Sequence, residues 1–260
     1  MFELTTEYDI NDKTKLSIID IPELNENLIN LIDNHIVEIC EGKSENSIGN
    51  VKLRIINLFK NKSDDWKMGA IAEFFTNLYI RTQSYKQEFL YFNLEEKSIK
   101  KGFDGLFSKD EKYWLMESKS GSIDTKNITH KSKVQEAIKD LSDKVFGKIK
   151  NKQHPNPWQN AYNHAAHMDV SASKTLRTEL KELSNNFEKN SYSKIEEFNI
   201  IPSGTIFLKG TWQYLNENDK ILKDIQSIQS DLIGKNIFIV CMTQNTTNMF
   251  IDYLQGNLDE

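Results

Sequence analysis

The stretch "GFDGLFSKDEKYWLMESKSG", residues 102–121, decides the reading of this chain. Its second half alternates. Tyr113, Leu115, Glu117 and Lys119 fall on one side of an extended segment, and Trp114, Met116 and Ser118 on the other. The first half is another short apolar run, and the polar "SKDEK" between them reads as a turn. Upstream, "QEFLYFNLEE" (Gln87 to Glu96) is a third such run, joined on by "EKSIKKG". Three runs with polar turns predict an antiparallel meander. Within an aromatic, apolar strand, a glutamate and a lysine on one side need a reason, because buried charge is costly unless it is paired.

Working outward, the flanks read as helices. "SDDWKMGAIAEFFTNLYIRTQ" precedes the meander, with Ser63 as N-cap and Asp64 and Asp65 in the first turn, where carboxylates suit the helix dipole. Before it come "IPELNENLINLIDNHIVEICEG", with Pro22 near its start and Gly42 at its stop, and a helix over roughly 50–60. After Gly121 helices are predicted over about 131–150, in "NPWQNAYNHAAHMD" and over about 173–189. Strands are predicted at "GTIFLKG" (Gly204 to Gly210) and "NIFIVCMT" (Asn236 to Thr243), with "DKILKDIQSIQSDLI" as a helix between them and a short helix near "NMFIDYL". The expectation is one α/β domain over 1–260: an N-terminal helical region 1–62, a core of about 63–150, and C-terminal helices and strands over 151–260. It has a mixed central sheet flanked by helices, with N-terminal and C-terminal helical additions.

Composition narrows the function classes. The 260 residues carry a formal net charge of −5, so the molecule is no general polycation and does not coat nucleic acid unaided. Lys126 to His154 is its one locally basic stretch. Cys40 and Cys241 sit in apolar patterns with no disulfide or zinc spacing, and read as small core residues. No signal segment and no run of ~18 apolar residues occurs, so a cytoplasmic protein without membrane contact is expected.

The meander carries the chemistry. Paired strands lie ~4.8 Å apart, so Asp104 on the second strand and Glu117 on the third can present two carboxylates close together. Such a pair repels unless a cation sits between them. Lys119 lies on the same face as Glu117, ~6.6 Å further along, where an ammonium could orient a water or stabilise charge on a phosphate. Glu73 stands in the apolar helical segment "MGAIAEFFTNLYI", where a charge is unusual.

This order resembles the PD-(D/E)xK nuclease superfamily: a helix with Glu73, then a meander with Asp104 in "GFDG" and Glu117 and Lys119 in "WLMESKSG", then a helix. The resemblance spans roughly residues 63–150. It implies a restriction-endonuclease-like core and a Mg²⁺-dependent deoxyribonuclease, with Mn²⁺ able to replace Mg²⁺. Asp104, Glu117, Glu73 and the Ser118 carbonyl would hold metal, and Lys119 would be catalytic. It also implies a phosphate-facing role for Lys133 and Gln135, with Lys131 and Lys139 beside them on the following helix. More narrowly, the chain resembles the nuclease subunits of Hachiman anti-phage defence systems, which implies DNA as substrate and a superfamily 2 helicase as controlling partner. Three rival readings stand beside it: a stand-alone restriction-type nuclease, an RNase, and a non-catalytic nucleic-acid-binding or regulatory subunit of the same fold.

Two other patterns lead elsewhere and are set aside. "EGKS" (Glu41 to Ser44) lacks the first glycine of a P-loop, since that position is Val37. "HAAHMD" offers His164, His167 and Asp169 but no further helical ligand set, and reads as polar residues at a surface.

Overall fold

The computed structural model describes residues 2–92, 102–148, 156–166, 172–210, 212 and 218–256. Among these, a seven-stranded mixed sheet forms the middle layer. Its strands, in chain order, are β1 (Leu4–Asn11), β2 (Thr14–Ile21), β3 (Lys86–Gln87), β4 (Gly105–Lys109), β5 (Lys112–Ser122), β6 (Asn199–Phe207) and β7 (Asn236–Gln244). They lie in the order β1-β2-β7-β6-β5-β4-β3. β2, β7, β6 and β5 run parallel, while β1 and the pair β4 and β3 add antiparallel edges.

The helices are α1 (Glu26–Glu41), α2 (Ile48–Phe59), α3 (Asp64–Thr82), α4 (His130–Val145), α5 (Pro157–Ala165), α6 (Lys174–Glu188), α7 (Asn218–Gln226) and α8 (Asn248–Gln255). They divide into two layers, and the strands show why. Met116, Ile201, Val240 and Met242 pack with α1, α2, α3 and α8. Their neighbours Leu115, Ile200, Ile239 and Cys241 pack with α4, α5, α6 and α7. A strand buried on both faces is apolar at consecutive positions, and all nine residues of β6 are buried. Cys40 and Cys241 are buried free thiols, as their surroundings in the sequence suggest.

The predicted caps are in place. Ser63 accepts from the Trp66 backbone N–H at the start of α3, and Gly42 ends α1. Two expectations need correction. Residues 4–21, expected in a helical region, form the β1–β2 hairpin, whose second strand pairs with β7. Of the described residues of the first strand of the meander, expected over 87–96, only the start meets β4, with Gln87 opposite Phe107 and the Glu88 N–H donating to the Leu106 carbonyl; beyond Glu88 the chain turns under α1, and the Tyr91 N–H donates to the Ile39 carbonyl. The turn "EKSIKKG" before Gly102, the end of that strand beyond Phe92, and Lys150, Lys152, His154, His167 and Asp169 lie outside the described residues. No helix among the described residues is long and apolar enough to cross a membrane.

Candidate functional site

The site forms where β4 stops pairing with β5. Their register runs from Lys109 opposite Lys112 to Gly105 opposite Met116. Beyond Met116, β5 continues beside β6 as far as Ser122, so its other edge opens where Glu117 begins. Asp104, one residue before β4, closes the first step of that gap: its Oδ2 accepts from the Ser118 backbone N–H at 2.8 Å. The N–H and C=O of one strand residue point to the same side, as hydrogen-bonded antiparallel pairs show, so the Ser118 carbonyl faces the gap too. Gly102, two residues before Asp104, has φ +75° and passes so close to Pro157 that a Cβ would lie 3.0 Å from its Cα. That position requires glycine, and it fixes the chain's entry to Asp104.

Glu117 points to the α4 side, as does Leu115, and is 1% exposed. Both its oxygens are engaged. Lys119 Nζ donates to Oε1 at 2.9 Å and Lys144 Nζ, from α4, donates to Oε2 at 2.6 Å. Lys119 Nζ also donates to Asp140 Oδ2 at 2.5 Å, and Lys144 lies 3.4 Å from that same oxygen. Three carboxylates, Asp104, Glu117 and Asp140, thus stand around two ammonium groups. Burial, with the negative charge of Asp104, pushes the Glu117 carboxyl up to about 8 despite the lysines. Burial works against the charge of Lys119 and of Lys144, but the surrounding carboxylates, Glu117 foremost, outweigh it and hold both above the ordinary lysine range. Asp140 is also held back by burial, yet Glu117 and the two lysines keep it below the usual carboxylate range.

The residues proposed from the sequence separate into two groups. Asp104, Glu117, Ser118 and Lys119 come together at the gap. Lys133 stands beside the end of β5, near Gly121, with its ammonium on Glu136 at 2.8 Å. Gln135 instead donates to Asp231 at 2.8 Å, Lys139 pairs with Asp143 on its own helix, and Lys131 is half-buried in the first turn of α4. Glu73 is buried in α3, the helix on the other face of the sheet. Among the described residues no group of three or more His, Cys, Asp and Glu is arranged to hold a metal ion, the carboxylates around Lys119 and Lys144 included. His164 of "HAAHMD" packs its ring 5.4 Å from that of Phe89.

Two members of the cluster, Asp140 and Lys144, escape a sequence reading. Their only signal is the spacing i, i+4 beside the apolar stripe Val134, Ile138, Leu141 and Val145 of α4, a spacing that many solvated helices share.

A divalent ion suits this donor set. Mg²⁺ favours hard oxygens, takes one or two protein carboxylates and keeps several waters. Asp104, Glu117 and the Ser118 carbonyl are the oxygens such an ion would use, beside the Lys119 and Lys144 ammonium groups that already stand against Glu117. Comparison with protein-family models, with curated proteins and with solved structures finds no match to this chain.

Proposed function

We propose that the protein is a metal-dependent DNA nuclease with a restriction-endonuclease-like core. The observation that carries this is the gap itself: Asp104 and Glu117 on neighbouring chain segments, with Lys119 next on the same face, held where the sheet edge opens. The order α3, β3, β4, β5, α4, with acid, acid and lysine at those places, also supports it. On this reading Asp104, Glu117 and the Ser118 carbonyl hold Mg²⁺, or Mn²⁺ in its place. Bound there, the ion offsets phosphate charge and makes a water more acidic. Lys119 directs its ammonium to the water or to the phosphate oxygen that gains charge. The net charge of −5 fits a subunit that relies on a partner for its grip on DNA, and we assign that partner to the superfamily 2 helicases, as in Hachiman systems.

The test is a digestion panel of plasmid DNA, linear DNA and RNA with Mg²⁺, using wild type, Glu117→Ala and Lys119→Ala. Wild type should cleave DNA, and both variants should lose at least ~100-fold, the scale seen when a group stabilising the transition state is removed. A Lys119→Ala protein as active as wild type would remove Lys119 from the chemistry. Cleavage of RNA alone would move the reading to an RNase. Association with a helicase is checked by co-purification with the product of the neighbouring gene.

One observation favours a second reading. Both oxygens of Glu117 are met by lysines, so the cluster is nearly charge-matched without a metal, as a non-catalytic subunit of the same fold would have it. Calorimetry with Mn²⁺ separates the two: a nuclease binds the ion and loses it in Asp104→Asn, whereas a structural cluster binds none.

A further inference from the structure

The α4 side of the cluster contains more than the Glu-x-Lys pattern provides. Asp140 and Lys144 stand one helical turn apart and both reach across to β5. Lys119 has a long, freely rotating stem that loses side-chain entropy when it is fixed. Here its ammonium is held at two points, Glu117 Oε1 at 2.9 Å and Asp140 Oδ2 at 2.5 Å. Glu117 is likewise held from both ends, its second oxygen by Lys144 at 2.6 Å. Ion pairs on a solvated helix contribute little. These differ because they cross from helix to strand, and because the side chains of Glu117 and Lys144 are only 2% and 18% exposed.

From this geometry, and resting on the nuclease reading above, we infer that Asp140 and Lys144 are positioning residues of the cleavage site. Asp140 sets the Lys119 ammonium, and Lys144 sets the plane of the Glu117 carboxylate and so the direction of the lone pairs that remain for the metal. Groups that orient the residues of a metal site are worth about 10–100-fold in affinity or activity.

The experiment compares Asp140→Asn and Lys144→Met with the conservative Asp140→Glu and Lys144→Arg. In single-turnover cleavage of linear DNA at saturating Mg²⁺, the first two should be about 10–100-fold slower than wild type per folded molecule, with DNA affinity near wild type; Lys144→Met should also melt earlier, since it leaves Glu117 buried without one of its cations. Lys144→Arg should recover most of the rate. A readout without metal or DNA is the ¹⁵N resonance of the Lys119 ammonium, assigned by its loss in Lys119→Ala. Asp140→Asn should shift it, and a role confined to helix stability leaves it in place. Unchanged cleavage by both variants, in a preparation whose wild type is active, overturns the proposal and leaves the nuclease reading intact. An equal loss of folded protein in all four variants also overturns it, since the pair would then be scaffold. A wild type without Mg²⁺-dependent cleavage defeats the nuclease reading, and this proposal with it.

Discussion

Glu117 is the residue on which most of the site depends, and its proton has a measurable consequence. Its carboxyl sits at about 8, because it is buried and faces Asp104. Between the ordinary carboxyl range and that value, the folded chain keeps a proton that the unfolded chain releases. The native state therefore binds more protons across this window, and stability falls as pH rises through it. Glu117→Gln carries no such proton. Thermal melts from about pH 5 to pH 8.5 should show the variant gaining on wild type as pH rises. A constant difference between the two would mean that Glu117 is ionised throughout. At this scale the sequence was legible in part. Asp104, Glu117 and Lys119 stood out because a strand's two-residue period puts charge where apolar residues belong. Asp140 and Lys144 did not, because only the packing of α4 against β5 separates them from the many other charges of that helix.

At the level of elements, α4 is placed by a close approach. A Cβ on Gly204 of β6 would meet the His130 carbonyl at 3.0 Å, Lys133 Cβ at 3.1 Å and Val134 Cγ2 at 3.4 Å. The helix backbone cannot retreat without moving everything it carries. Gly204→Ala should cost about 1–3 kcal/mol, as overpacking does, and should slow cleavage, since it shifts α4 and Gly204 is the β6 partner of Lys119. Paired melting and activity measurements check this, and a variant that melts early but cleaves normally when folded would refute it. The start of the same helix is secured by a capping box, in which Thr129 Oγ1 accepts from the Ser132 N–H at 3.0 Å and Ser132 Oγ accepts from the Thr129 N–H at 3.1 Å. Thr129→Ala should cost about 1 kcal/mol, read as a lower melting temperature. Helices, caps and the strands β5 and β7 could be read from periodicity and turn residues, whereas β6 begins at Asn199, five residues before the strand expected over Gly204 to Gly210. The β1–β2 hairpin could not be placed from its local pattern, because its second strand takes its position from β7 at the far end of the chain. The strand expected over 87–96 looked continuous because Tyr91 and Phe92 are buried in a turn beside α1, and burial in a loop leaves the same mark on a sequence as burial in a sheet.

Across the whole molecule, the layer remote from the site has its own fastening. Lys52, buried in α2, lies 3.5 Å from Asp33 of α1 and 4.0 Å from the centre of the Tyr253 ring on α8. Tyr253 closes the triangle by donating to Asp33 at 2.5 Å. Removing the lysine leaves a half-buried carboxylate without its cation. Lys52→Ala should cost roughly 2 kcal/mol, below the 3–5 kcal/mol of a fully buried pair because Asp33 is partly exposed. It should lower the melting temperature by several degrees with cleavage per folded molecule unchanged. A loss of cleavage without loss of stability would tie this layer to the chemistry.

The parallel pairing of β2 with β7, Thr14 beside Ile237 through Ile21 beside Gln244, also bears on how the chain reaches this state. β2 pairs at once with β1, but its other edge must wait for β7, the last strand among the described residues, and the free edge of β6 waits with it, since β7 lies between them. Contacts this distant in sequence form slowly. Until they form, the apolar edges of β2 and β6 are open to other chains. During synthesis the segment with Asp104, Glu117 and Lys119 is made long before β6 and β7, so the residues of the proposed site precede most of the sheet that supports them. A ribosome-bound chain halted before Asn236 should be protease-sensitive and prone to aggregate, and one extended past Gln244 should resist both.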